Sequence, residues 1–236
     1  MTQLDLRGFI LLFIVLLTGC VPSDDKQEPS NDIVIKQGVI GGKKYYVPEQ
    51  YLKMKGSAIS SDGIYVRAMY PNFTPVLKDP KELRGEKEWY RSVRILAKKR
   101  NSNIEFNVFA EGKIKNLKAF EIVGEEYGLI HQKQPEEHVQ DHDDIWLEKN
   151  NDEYVSLINC SEKIIETDVP HCQMQIFYKS KFRIKASFNK VLLPHWKEIK
   201  RNVLEMFDSF EYEHSARAYI ETKLNGMNLE THGERK

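Results

Sequence analysis

Cys172-Gln173-Met174-Gln175-Ile176-Phe177-Tyr178, then Lys179-Ser180-Lys181, then Phe182-Arg183-Ile184-Lys185-Ala186-Ser187-Phe188 is the stretch that decides the fold. Met174, Ile176 and Tyr178, followed by Phe182, Ile184, Ala186 and Phe188, alternate with other side chains at the two-residue period of a strand with one buried face. Lys179-Ser180-Lys181 is the turn or exposed edge between two such strands. A different period follows at once. Trp196, Ile199, Val203, Met206, Phe207 and Phe210 stand at offsets 0, 3, 7, 10, 11 and 14, one apolar stripe of a helix, while Lys197, Lys200, Arg201 and Glu205 face the other way. Pro194 suits the first turn of that helix. A stripe of this kind is buried most simply on the sheet made by the strands before it. The expected fold is therefore α+β, mainly antiparallel sheet covered by a C-terminal amphipathic helix and a few short helices.

Working back along the chain, residues 33–35, 39–40 and 44–47 read as strands with Gly41-Gly42 turning between them, and residues 48–52 as a loop or short helix. Residues 64–70 form a strand that stops at Pro71, and Tyr70-Pro71-Asn72-Phe73-Thr74-Pro75 is a fixed connection because each proline restricts itself and its predecessor. Residues 91–98, 104–110, 117–123 and 127–131 are further strand candidates, divided by Asn101-Ser102-Asn103, Glu111-Gly112 and Gly124. Residues 133–144 interrupt this pattern with a polar, acidic segment, near which the domain could divide into two subdomains. Residues 145–148 and 154–160 then make a hairpin around Asn150-Asn151-Asp152. Beyond residue 212 the periodicity fades, and residues 213–236 are expected to be a polar, frayed tail.

At the other end, Arg7 precedes the apolar run Phe9-Ile10-Leu11-Leu12-Phe13-Ile14-Val15-Leu16-Leu17, too short to span a bilayer and of the size found in secretory signals. Leu16-Leu17-Thr18-Gly19-Cys20 resembles the lipobox of bacterial lipoproteins. That resemblance implies removal of residues 1–19, lipidation of Cys20 and firm anchoring, since each buried CH₂ contributes about 0.8 kcal/mol. With Val21 rather than Asp after the cysteine, it also implies a periplasm-facing protein of the outer membrane. Residues 20–32, polar and carrying two prolines, cannot bury enough surface to fold and form a tether. The folded domain is then expected over residues 33–212.

The 35 Lys and Arg balance the 35 Asp and Glu, so the chain is neutral, which argues against nucleic acid as a partner. With Cys20 lipidated, Cys160 and Cys172 remain in an oxidising compartment and are expected to form one disulfide closing a short loop. Their spacing fits neither a zinc site nor a redox pair.

No Gly-x-Ser-x-Gly elbow, phosphate-cradling glycine loop or His-Glu-x-x-His pair occurs, so no catalytic set, cofactor or metal site is expected. His138 and His142 are four apart and would share a helix face with Glu137 or Asp141. Pro135 and the absence of an apolar face speak against such a helix, which leaves metal binding there a minority reading. Surface recognition is the remaining route to function. Glu136, Glu137, His138, Asp141, His142, Asp143 and Asp144 could meet a basic cleft on a partner. Tyr45, Tyr46, Tyr51, Tyr65, Tyr70, Phe73, Trp89 and Tyr90 divide between core and interface anchors. His171 and His195 read as structural.

Gly42-Lys43-Lys44-Tyr45-Tyr46-Val47-Pro48, with Tyr51-Leu52 and then residues 70–75, resembles lipoprotein immunity proteins of type VI secretion systems, which guard the periplasm against lipase or phospholipase effectors. Residues 182–188 with the helix after them are similar to the strand and terminal helix of Mog1/PsbP-like α/β sandwiches. The resemblance implies a protein that binds and neutralises a toxin and has no enzymatic activity of its own. A structural or assembly lipoprotein of an envelope complex is the alternative.

Overall fold

The two alternating segments that open the sequence argument pair as expected: His171–Tyr178 and Phe182–Asn189 form an antiparallel hairpin with Met174 opposite Ala186 and Ile176 opposite Ile184. The computed structural model describes residues 33–77, 89–100, 104–116, 121–133, 143–161, 170–179 and 182–233. In chain order the strands are β1 (Ile35–Ile40), β2 (Lys43–Pro48), β3 (Ala58–Ile59), β4 (Gly63–Met69), β5 (Thr74–Pro75), β6 (Ser92–Lys99), β7 (Glu121–Glu126), β8 (Leu129–Lys133), β9 (Asp143–Asn150), β10 (Glu153–Ser161), β11 (His171–Tyr178) and β12 (Phe182–Asn189). The helices are α1 (Phe106–Asn116), α2 (Trp196–Ser209) and α3 (Glu213–Gly233), with 3₁₀ turns at Glu49–Leu52, Trp89–Arg91 and Lys190–His195.

Among the described residues, β1 and β2 form a separate hairpin, and the other strands form one ten-stranded antiparallel sheet in the order β3-β4-β6-β12-β11-β10-β9-β8-β7, with β5 beside β4. The protein is α+β, as its two periods require. The inner face of the sheet carries Ile64, Val66, Val93, Ile95, Met174, Ile176, Ile184 and Ala186, all buried, and α2 lies on it through Trp196, Ile199, Val203, Met206 and Phe207. The indole N–H of Trp196 donates to the Tyr127 carbonyl at 3.0 Å, tying the start of α2 to the turn between β7 and β8. Each fully buried apolar side chain of this size stabilises by about 1.5–3 kcal/mol.

Gly63 marks how closely the strands approach: a Cβ there would lie 2.2 Å from the Ala97 carbonyl oxygen of β6. The turn at Gly41 and Gly42 needs positive φ at both positions, +59° and +80°. Cys160 and Cys172 are directly opposite on β10 and β11, and their sulfurs are bonded.

Several expectations need correction. Residues 104–110 were readable as a strand because Ile104, Phe106, Val108 and Ala110 alternate, but Phe106–Asn116 is helix α1. The stripe that counts is Phe106, Ala110 and Ile114, which packs on Ile145, Leu147 and Leu157 of the sheet's outer face, while Ile104 and Val108 are exposed. Gly124 lies within β7 at a register shift, and the chain turns at Tyr127 and Gly128 instead. The frayed tail is replaced by α3, whose Ala216 and Ile220 join the main core. The division near residues 133–144 does not occur, because β8 and β9 on either side of it pair in the same sheet and residues 33–236 form one unit. Pro194 sits in the 3₁₀ turn that leads into α2, not in α2 itself.

Candidate recognition surface

Three of the eight aromatic residues singled out from the sequence belong to the core. Tyr45, Tyr51 and Phe73 are almost fully buried; the Tyr51 hydroxyl donates to the Phe73 carbonyl at 2.6 Å, and Tyr45 meets Phe182 edge to face. Burial, with Tyr219 nearby, pushes the Tyr51 hydroxyl well above its ordinary value. These residues position the connection 70–75, which reaches the surface at Tyr70, Pro71 and Asn72.

That connection borders a groove of about 690 Å³ at the end of β4, β6 and β12. Tyr70 and Pro71 form one wall, and the turn Trp89–Arg91 forms the second. Val191 and His195, from the turn Lys190–His195, form the third, and Asn189 caps that turn by accepting a hydrogen bond from the Val191 amide at 3.0 Å. Trp89 is braced from behind by Met54, Met69 and Val76, whereas Tyr90 and Val191 are exposed.

Tyr70 is the best-fixed member. Its amide donates to the Arg91 carbonyl at 2.9 Å, the Arg91 guanidinium donates back to the Tyr70 carbonyl at 2.8 Å, and its ring lies 5.4 Å from that of His195. Its hydroxyl donates to Glu198 of α2 at 2.6 Å. Burial first, and then the Glu198 carboxylate, push the hydroxyl up to about 12, so it is a neutral donor at physiological pH. Asn202 of α2 donates to the Pro71 carbonyl at 3.1 Å. The groove thus offers rigid aromatic faces, an imidazole and a guanidinium, a set suited to seating apolar and acidic side chains of a protein.

The acidic segment has a different standing. Glu136, Glu137, His138, Asp141 and His142 lie outside the described residues. Asp143 opens β9. Asp144 does not belong to a solvated loop: it is 4 % exposed, paired with Lys190 at 3.3 Å and 3.6 Å from His131, whose ring stacks on Trp146 at 4.4 Å. It braces β9 against the start of the Lys190–His195 turn and is unsuited to contact a partner directly. Among the described residues no three His, Cys, Asp or Glu side chains gather as a metal site would require. Arg91 and Val191 were missed from the sequence, and His195, read there as structural, lines the groove, because the groove is assembled by three connections far apart in the chain.

No family model matches the chain, and no curated protein matches it. The fold is similar to that of Smlt3025, an immunity protein of the Stenotrophomonas maltophilia type IV secretion system, with a TM-score of 0.54 and 12% identity over 72% of this chain and 90% of that one. The iron-regulated outer membrane lipoprotein FrpD of Neisseria meningitidis matches with a TM-score of 0.47 and 11% identity over 75% of this chain and 92% of that one. At this identity the first likeness establishes a shared fold.

Proposed function

We propose that this chain is an envelope immunity protein, anchored through Cys20 and facing the periplasm, that binds and neutralises a secreted antibacterial effector. The observation that carries the reading is the aromatic groove at Tyr70, Trp89, Tyr90 and His195, held rigid from behind by α2, in a fold shared with a secretion-system immunity protein. Exposed aromatic residues on a stiff base are the usual energetic centre of a protein interface, because they bury much area and lose little side-chain freedom.

Delivery of that effector by a type VI system, and its being a lipase or phospholipase, are the finer parts of the proposal. They rest on the likeness of residues 42–52 and 70–75 to that class of immunity lipoprotein. Neutralisation requires only that the bound chain occlude the effector's site, so no residue of this chain needs to react. An enzyme assay tests the reading: the purified lipase-type effector of the same strain should lose phospholipid hydrolysis when the chain is added in equimolar amount. Full hydrolysis in the presence of excess chain would overturn it.

A further inference from the structure

The outer face of the sheet carries a concentration of positive charge that the neutral composition conceals. Arg67 of β4 is directly opposite Arg94 of β6, and Lys98 of β6 is directly opposite Arg183 of β12. Lys185 of β12 lies between them in the register, opposite Leu96, and all five side chains alternate with the buried residues of the inner face. Three strands and five residues of β6 span about 10 Å by about 13 Å, so the five cations crowd a small area.

Like charges directly opposite on neighbouring strands destabilise a sheet. Among the described residues, none of Arg67, Arg94, Lys98, Lys113, Arg183 and Lys185 forms an ion pair. Arg67 and Arg183 lie over the rings of Tyr65 and Phe109 instead, and the Nε–H of Arg67 is buried without a hydrogen-bond partner. Burial, and then the charges of Arg183, Lys113 and Lys98, hold the Lys185 ammonium below its ordinary value. An anionic occupant would relieve this repulsion.

The position of the face indicates which anion. Arg67, Arg94 and Ser187 stand within three residues of Tyr70, Arg91 and Asn189, so the charged face runs into the groove at the same end of β4, β6 and β12. The face also carries little that could enter a bilayer, since Tyr65 and Leu96 are half-buried between the cations.

Taking the proposed function as given, we infer that the outer face of β4, β6 and β12 docks an acidic surface of the effector, extending the aromatic groove into one interface. The groove would hold the complex, and the cations would steer its approach.

The test uses the full chain with Cys20→Ser, so that no acyl chain contributes to binding, and compares it with the same chain carrying Arg94→Glu and Lys98→Glu. Both positions are exposed, and the thermal midpoint checks that folding is intact. The probes are poly-L-glutamate, vesicles of phosphatidylglycerol, and the effector that the wild-type chain inhibits. The expected result is salt-sensitive binding of poly-L-glutamate and fast association with the effector, both reduced about tenfold or more by the double reversal. Unchanged effector association and salt dependence in the reversed chain would overturn the inference while leaving the immunity reading in place. Reversal that abolishes vesicle binding but leaves effector association intact would also overturn it, assigning the face to a membrane. A wild-type chain that binds poly-L-glutamate but no effector would overturn the functional reading and the choice of occupant with it.

Discussion

Helix α3 gives the sharpest test of the structure, because the sequence alone reads residues 213–236 as a polar tail. Ile220 is fully buried in the main core, in the helix that also carries Ala216 and that sets Tyr219 near Tyr51 and Phe210. Ile220→Ala deletes three carbon atoms, a transfer loss of about 2.4 kcal/mol, and an incompletely closed cavity raises this to as much as about 4 kcal/mol. For a domain of this size each kcal/mol moves the thermal midpoint by about 2–4 °C, so the expected fall is about 5–15 °C. Glu221→Ala, on the exposed face of the same turn, is the control and should stay within about 0.5 kcal/mol of wild type. Circular dichroism melts of the two variants decide the matter. If Ile220→Ala and Glu221→Ala melt together with wild type, α3 contributes no core and the tail reading is right.

Three further outcomes are expected. Replacing Cys160 and Cys172 with Ser should lower stability by about 3 kcal/mol, the entropy of a loop with a separation of 12 residues, and mass spectrometry without reductant should find no free thiol at either position in wild type. Acid should weaken the protein through Asp208 and Glu211: burial works upward on both, but hydrogen bonds outweigh it, from Lys179 and Tyr178 to Asp208 and from Lys43 and Lys179 to Glu211, and hold both carboxyls below their ordinary values. Depressed carboxylates contribute stability above the ordinary carboxylate range and lose it as they protonate, so wild type should lose thermal midpoint more steeply than Lys179→Met on going from about pH 5 to about pH 3; parallel curves would refute the assignment. Metabolic labelling with palmitate should mark wild type and not Cys20→Ser, and an unlabelled wild type would remove the lipid anchor.

The parts legible in sequence were those governed by local periodicity. The β11–β12 hairpin, the α2 stripe and the Asn151-Asp152 turn could be read because one face of each element alternates cleanly between buried and exposed. Helix α1 was misread because Phe106, Val108 and Ala110 fit the strand period while Phe106, Ala110 and Ile114 fit the helical one, and only packing against Ile145, Leu147 and Leu157 chooses between them. Helix α3 was missed because its buried face is narrow, Ala216 and Ile220 amid charged neighbours. The candidate surface was less legible. Tyr70 and Tyr90 drew attention as aromatics, yet nothing in the chain brings Val191 and His195 to them except the completed sheet. The cationic face was hidden by a zero net charge, although Arg94 and Lys98, and Arg183 and Lys185, follow strand spacing and could have been noticed had the strands first been placed in order.

The central claim, that this chain protects its cell by binding an effector at the groove, is tested most directly by competition. A strain lacking the gene is mixed with its secreting parent, with and without complementation by wild type or by Val191→Arg, a substitution at an exposed wall of the groove that leaves the core untouched. The account predicts that the deletion strain is killed, that wild type restores survival, and that Val191→Arg, though folded and present at normal abundance, does not. Survival of the deletion strain at parity with its parent while secretion is active, or full protection by Val191→Arg, would contradict it.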